Sequence, residues 1–452
     1  MTQQNVSPDT IRDRFSKAMS LMYQQEVPQY RTLLQIVKEV NTLYLQAHPD
    51  TFADSDDAEE LNRLDVERHG AIRLGKPEEL ATMRLLFAVM GMQPVSYYDL
   101  SAAGVPVHAT AFRAVEEASL QYNPFRVFTS LLRLELIDDA DLRQKAQQIL
   151  AQRDIFTPRV RELIALNQKN QGLDETQADE FVQEALKTFK WHSEAQVDVA
   201  TYQSLLAHHR LIADVVSFKG PHINHLTPRT LDIDAVQKLM PHYQIAAKEV
   251  IEGPPPRQVP ILLRQTSFKA LSEKITFADS SEGLHTARFG EIEQRGLALT
   301  PQGRALYDRL LQQASDDADH SQEETHDAQL ARCFAAFPDN VTDLRQQALG
   351  YFRYRLKPGA VLPEARASRA HLEALISEGI VQAKPIIYED FLPVSAAGIF
   401  QSNLGSERGA VHKGNPNKLA FESALGCPVI DEFSLYQRLQ ENSLTEIFGE
   451  NR

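Results

Sequence analysis

The chain reads as an α+β protein with a β-rich core built twice, as two β-α-β-β-β modules. A large helical segment separates the modules, and helical additions flank them at both ends. Three observations carry this. Arg68-His69-Gly70-Ala71-Ile72-Arg73 is echoed by Asn224-His225-Leu226-Thr227-Pro228-Arg229, with the histidines 225 − 69 = 156 residues apart. Thr110-Ala111-Phe112-Arg113-Ala114-Val115 is echoed by Thr266-Ser267-Phe268-Lys269-Ala270-Leu271 at the same offset, 266 − 110 = 156. The texture also alternates, strand-like around each echo and helical between them. A duplicated unit brings equivalent side chains to one pseudo-symmetric place. Two histidines delivered that way are a natural start for a metal centre, so the β core is expected to close around a metal.

Each element follows in order. In block 1–60, Ser7-Pro8 suits an N-cap and first helical position, because proline has no amide proton to lose there. Phe15, Met19, Met22 and Tyr23 then recur at helical spacing. Pro28 opens a second helix with Leu33, Ile36, Val37, Val40 and Leu43-Tyr44 on one face, and the acidic patch at 50–60 reads as a solvated loop or helix entry. In block 61–138, residues 66–74 read as a strand. Gly75-Lys76-Pro77 leads into a helix through Leu80, Met83, Leu86-Phe87 and Met90 that stops at Gly91. Residues 95–100, 105–115 and 125–137 are strand-like, completing the first module. Block 139–215 is helical by pattern, with starts at Thr157-Pro158 and Asp174-Glu175, and reads as an insertion. Block 216–300 repeats the module: a strand at 223–226, a helix at 232–242, and strands at 259–268 and 286–299.

Block 301–452 is expected to close the pocket. It holds a helix from Thr300-Pro301 to about Gln313, a polar surface loop at 315–326, helices at 339–349 and 363–378, and a strand at 380–388. The small-residue run Phe391-Leu392-Pro393-Val394-Ser395-Ala396-Ala397-Gly398 suits a pocket-lining loop, and a final helix at 431–439 suits packing.

Bulk properties exclude several classes. A chain of 452 residues can bury a large core, and its hydrophobic 43% and charged 24% are those of a soluble globular protein. The net charge of −14 argues against nucleic acid, since phosphate binding needs clustered Lys and Arg. Cys333 and Cys427 lie far apart, so neither a disulfide framework nor a thiolate zinc site is indicated. No apolar run has membrane-spanning length, and Met1-Thr2-Gln3-Gln4-Asn5 is not a signal peptide, so the expected compartment is the cytoplasm. The run Leu299-Thr300-Pro301-Gln302-Gly303-Arg304 also occurs after the wing of winged-helix regulators, but no basic recognition helix precedes it.

The candidate ligands are His69 and His225, with His222 as a nearby competitor, and a carboxylate from Phe289-Gly290-Glu291-Ile292-Glu293. On a strand Glu291 and Glu293 share a face, aimed either at water or at a cation. Two imidazoles and one carboxylate form the facial triad of non-haem iron(II), which leaves coordination positions open. Arg73 shares a strand face with His69, at most roughly 13 Å away, a reach that suits a short dicarboxylate held at both ends. The plainer alternative is a salt bridge to Glu67 or another carboxylate.

Taken together, Glu67-Arg68-His69-Gly70-Ala71-Ile72-Arg73, Asn224-His225-Leu226-Thr227-Pro228-Arg229 and Phe289-Gly290-Glu291-Ile292-Glu293-Gln294-Arg295-Gly296 resemble the 2-oxoadipate dioxygenase/decarboxylase family, also called hydroxyglutarate synthases. The resemblance runs from about residue 10 past Val394-Ser395. It implies an expanded vicinal-oxygen-chelate fold around Fe(II), with His69, His225 and Glu293 as metal ligands and Glu291 as the fallback. It also implies a substrate site of His69, Arg73, His225, Val394 and Ser395. The implied partners are a 2-oxo dicarboxylic acid and O2, and the implied reaction converts 2-oxoadipate and O2 to 2-hydroxyglutarate and CO2. The alternatives are a metal-dependent isomerase or lyase acting on a small oxo acid on the same scaffold, and a non-enzymatic ligand sensor.

Overall fold

Ser7 accepts a hydrogen bond from the Thr10 amide and Pro8 takes the first helical position, so helix α1 (Pro8–Glu26) starts where its cap demands. Pro28 opens α2 (Pro28–Ala47) directly afterwards. The structure is a computed structural model describing residues 5–49, 57–318, 325–392 and 417–449. One compact unit comprises Met1–Glu252, Gln265–Glu293 and Phe391–Ile430; a second comprises Gly253–Arg264, Gln294–Asp390 and Asp431–Arg452.

In the first unit, α3 (Asp57–Val66) leads into β1 (Arg68–Leu74), α4 (Pro77–Val89), β2 (Gln93–Asp99), β3 (Val107–Arg113) and β4 (Arg126–Leu132). Five helices fill the insertion, from Ala140–Ala151 to Arg210–Ser217. Then come β5 (His225–Pro228), a helix at Ile233–Leu239, β6 (Leu263–Ser267), β7 (Ser272–Thr276), β8 (Glu282–Thr286) and β9 (Phe289–Arg295). Seven strands make one sheet in the order β2-β3-β4-β1-β5-β9-β6, while β7 and β8 form a separate hairpin.

The duplication is visible in this order. β1 runs parallel to β4, and β5 runs parallel to β9; β1 and β5 meet antiparallel at the centre. In that central ladder His69 faces Thr227 and Ala71 faces His225, so adding 156 to one strand and subtracting it from the other maps the ladder onto itself. Residues 246–252 pair irregularly with β6, through Ala247↔Phe268 and Glu252↔Gln265, in the place β2 holds beside β3. Even the echoed threonines agree. The Thr110 hydroxyl donates to the Ser96 carbonyl at 2.7 Å and lies 3.1 Å from the Val95 carbonyl, and the Thr266 hydroxyl donates to the Val250 carbonyl at 3.0 Å, each on the segment at the edge of its own copy.

The second copy has diverged in ways its sequence disguised. The strands expected at 259–268 and 286–299 are shortened to β6 and β9, with the β7–β8 hairpin between them. That hairpin turns only Ile275 and His285 inward and exposes most of its other side chains, too little apolar signal to be read as strands. Behind the sheet, Ile72, Leu74, Phe112, Val127, Leu226 and Ile292 share a core with apolar residues of α1, α2 and α4. Strand alternation therefore turns His69, Ala71, Arg73, His225, Thr227, Glu291 and Glu293 to the opposite face.

The second unit carries a helix Pro301–Ala318, further helices His326–Phe334, Val341–Gln346 and Glu432–Phe448, and an antiparallel pair, β10 (Phe352–Leu356) and β11 (Val381–Pro385). The Thr300 hydroxyl caps the first of these helices through the Gly303 amide at 3.1 Å, and a Cβ at Gly303 would strike the Leu349 carbonyl. The Thr-Pro-x-Gly run is thus explained by a helix start and a close backbone approach. The loop expected at 315–326 is helical as far as Ala318 and again from His326. The single helix expected at 363–378 is instead two short 3-10 turns followed by Leu372–Ser377, because Ser368 is extended and breaks the run.

Two tests follow. A Cβ at Gly290 would collide with the Phe268 ring and lie 3.0 Å from Leu33 Cδ2. Gly290→Ala should therefore destabilise the protein by about 1–3 kcal/mol, read as a lower denaturation midpoint. His108, 6% exposed with its ring 4.7 Å from that of Phe421, is pushed down to about 4 by burial and then by Arg133. Its unfolded counterpart takes up a proton near pH 6.5 that the folded ring refuses. Stability should fall as pH drops from 6.5 towards 4, and His108→Asn should flatten that slope by up to about 1.4 kcal/mol per pH unit.

Candidate metal centre

Two histidines reach one place because of the central ladder. His69 and His225 lie on the same face of antiparallel strands, and the residue directly across from His225 is Ala71, small enough to leave the imidazole room. Their ring centroids are 5.4 Å apart and nearly perpendicular at 89°. Phe391 packs edge-on to His69 at 5.0 Å, and Phe289 stacks on His225 at 4.9 Å. Both histidines are fully buried.

β9 runs beside β5 and supplies the acids. His69 sits between them, with Nε2 3.0 Å from Glu291 Oε1 and Nδ1 2.9 Å from Glu293 Oε2. His225 Nε2 lies 3.8 Å from the same Glu291 oxygen. One donor atom from each of His69, His225 and Glu291 falls within 4.8 Å of the others. Glu291 Oε1 also accepts hydrogen bonds from the Thr227 hydroxyl at 3.0 Å and the Gln265 side-chain amide at 2.7 Å.

Electrostatics sets the two rings apart. Burial works against charge on His69, but Glu293 and Glu291 outweigh it and hold the ring above the ordinary histidine range. His225, where burial dominates, is pushed down to about 4. The ring nitrogens of His225 are buried and make no hydrogen bond, a costly state for polar atoms, while those of His69 face the two carboxylates. A cation accepted by their lone pairs, beside carboxylates already aimed at the same point, removes that cost. The donor set, nitrogen and oxygen without thiolate, fits iron(II) chemistry.

A buried ion network stands behind the acids. Glu67, in the residue before β1, takes Arg126 at 2.7 Å, Arg229 at 3.0 Å and Arg63 at 3.2 Å. Arg126 also reaches Glu293 Oε1 at 3.5 Å, and Arg229 binds Glu60 at 2.6 Å. Three guanidiniums thus offset the carboxylates crowded at this end of β1 and β9, which water cannot reach to screen.

The sequence-predicted residues separate as follows. His69, His225, Glu291 and Glu293 converge. Arg73 projects from the same face of β1, and its guanidinium binds Asp214 at 2.6 Å, not Glu67. His222 is not in the three-donor cluster; its Nε2 lies 3.5 Å from Asp214. Val394 and Ser395 lie outside the described residues. Sequence reading missed Glu67, Arg126, Thr227, Gln265 and Asp214. Only Asp214 carried a usable signal, as the lone charge in the apolar run Leu211-Ile212-Ala213-Asp214-Val215-Val216.

Comparison with known proteins gives the chain's family. The 2-oxoadipate dioxygenase/decarboxylase family profile matches residues 15–403. The chain is 60% identical over 443 residues to the 2-oxoadipate dioxygenase/decarboxylase of Escherichia coli (strain K12), covering 97% of this chain and 98% of that one. It is 57% identical over 446 residues to the protein of that name from Pseudomonas putida, covering 97% and 96%. The crystal structure of the hydroxyglutarate synthase from Pseudomonas putida matches with a TM-score of 0.88 at 54% identity, covering 98% of each chain. The same enzyme in complex with 2-oxoadipate matches equally well, with a TM-score of 0.88. Among the described residues no helix is long and apolar enough to cross a membrane. Over nearly its whole length the chain belongs to the 2-oxoadipate dioxygenase/decarboxylase family.

Proposed function

We propose that this protein is an Fe(II)-dependent dioxygenase that converts 2-oxoadipate and O2 to 2-hydroxyglutarate and CO2. The observation that carries this is the meeting of His69, His225 and buried carboxylates on one sheet face, with Arg73 further along the same strand. The relatives' shared name, and a relative solved with 2-oxoadipate, support it.

His69, His225 and Glu293 hold the metal in this reading. Glu291 Oε1, which lies 3.0 Å from His69 and 3.8 Å from His225, already accepts two hydrogen bonds, and a carboxylate oxygen has only two lone pairs. The compact grouping of Glu291 with both histidines favours a second reading, in which Glu291 turns its other oxygen to the metal and Glu293 orients His69. Bound iron(II) supplies Lewis acidity towards the 2-oxo acid and electron transfer to oxygen. The chain's own residues supply the rest. Arg73 presents a planar fork to the distal carboxylate, which fixes the carbon chain along the face of β1. Thr227 and Gln265 fix Glu291, and Arg126 fixes Glu293. Phe128, Tyr98 and Phe391, all buried, keep this side of the sheet dry. One carbon of the substrate leaves as CO2 and both oxygen atoms are consumed, so the 2-oxo acid is the only reductant required.

Anaerobic loading with Fe(II), followed by oxygen-electrode measurement with 2-oxoadipate, should give O2 uptake and CO2 release in equal amounts. Turnover that persists without oxygen would point to the isomerase or lyase alternative. Iron content separates the residue roles. His69→Ala, His225→Ala and Glu293→Gln should lose most bound iron, whereas Arg73→Ala should keep iron and raise the KM for 2-oxoadipate by about tenfold or more. Iron lost from Glu291→Gln but kept in Glu293→Gln would establish the second reading.

A further inference from the structure

Beyond the metal face, one buried carboxylate has no part in the chemistry so far assigned. Asp214 lies in the middle of helix Arg210–Ser217, and its side chain is 4% exposed. Both of its oxygens are engaged. Oδ2 binds the Arg73 guanidinium at 2.6 Å and accepts from the Asn224 side-chain amide at 3.4 Å. Oδ1 lies 2.9 Å from His285 Nε2 and 3.5 Å from His222 Nε2. His285 Nδ1 in turn lies 2.9 Å from the Tyr202 hydroxyl. A line of contacts, from the buried Tyr202, His285 and Asp214 to the part-buried Arg73, thus runs from helix Val199–His208 through β8 and the helix at 210–217 to β1.

The duplicated arginine gives a comparison for this line. Arg229 stands 229 − 73 = 156 residues after Arg73, in the equivalent place of the second copy, and is tied to Glu60 and Glu67. Each echoed arginine therefore has a carboxylate of its own, and the one for Arg73 comes from the inserted helices. A guanidinium whose Nη1 is anchored on a carboxylate that is itself engaged at both oxygens is restricted in where its head can lie along β1. We propose that Asp214 is a positioning residue that, backed by His285 and Tyr202, fixes Arg73 and so sets the length of dicarboxylate the enzyme accepts.

This rests on the reading above that Arg73 receives the distal carboxylate. The test compares wild type, Asp214→Asn and Tyr202→Phe on 2-oxoadipate, on the 2-oxo diacids one carbon shorter and longer, and on 2-oxohexanoate, which lacks the distal carboxylate. 2-Oxohexanoate is read as a substrate or, without turnover, as a competitive inhibitor. Asp214→Asn should raise the KM for 2-oxoadipate about tenfold with little change in kcat, and lower the preference over the other two diacids by a similar factor. Its iron content and its behaviour towards 2-oxohexanoate should stay as in wild type. Tyr202→Phe should shift the diacid preference in the same direction by a smaller factor, and it serves as the test if Asp214→Asn does not fold. Equal losses on 2-oxohexanoate and 2-oxoadipate, or an unchanged diacid preference in both variants, would overturn the role of Asp214. Wild type inactive on all four acids would instead overturn the function proposed above.

Discussion

The site depends on one antiparallel pairing, β1 against β5. Its register sets His69 opposite Thr227 and Ala71 opposite His225. Strand period is two, so a slip of one residue on either strand would turn one histidine into the helix-covered core and leave the other alone. The register is guarded on both sides. Leu226 and Ile72 are fully buried behind the sheet, and the Asn224 amide donates to the Ala71 carbonyl at the ladder's end. The hydroxyl of Tyr23, from α1, donates to the Phe289 carbonyl at 2.7 Å, where β9 begins beside β5.

Charge is the second requirement, because four glutamates and three arginines crowd around the open end of this ladder. Glu67 is the common partner of Arg63, Arg126 and Arg229, so the arginines are held in place as a group. Breaking one member of such a buried set leaves charge without compensation. The consequence is a sheet face whose carboxylates are prevented from relaxing towards water.

Much of this was legible in the chain itself. The fixed offset exposed the duplication, and the histidines within it led to the centre. Thr110 and Thr266, matched only as letters in a short echo, each donate to a carbonyl of the segment at the edge of their own copy. What stayed hidden had physical causes. The β7–β8 hairpin is mostly solvent-facing, so its alternation lacked apolar contrast. Arg73 was placed on the correct face, but its partner is 141 residues away on an inserted helix, a contact no local pattern encodes. The choice between Glu291 and Glu293 turns on which oxygens Thr227 and Gln265 occupy, and strand periodicity treats the two acids alike.

The insertion between the two copies has a wider consequence. Among the described residues His69, His225, Glu291 and Glu293 all come from the sheet, whereas the carboxylate gripping Arg73 comes from a helix of the segment inserted between the two copies. On the proposed reading the reactive centre and Arg73 share the sheet, and only the carboxylate that positions Arg73 is carried by the insertion. Descendants of this scaffold could exchange one acid for another by remodelling the inserted helices, leaving the oxidising apparatus untouched.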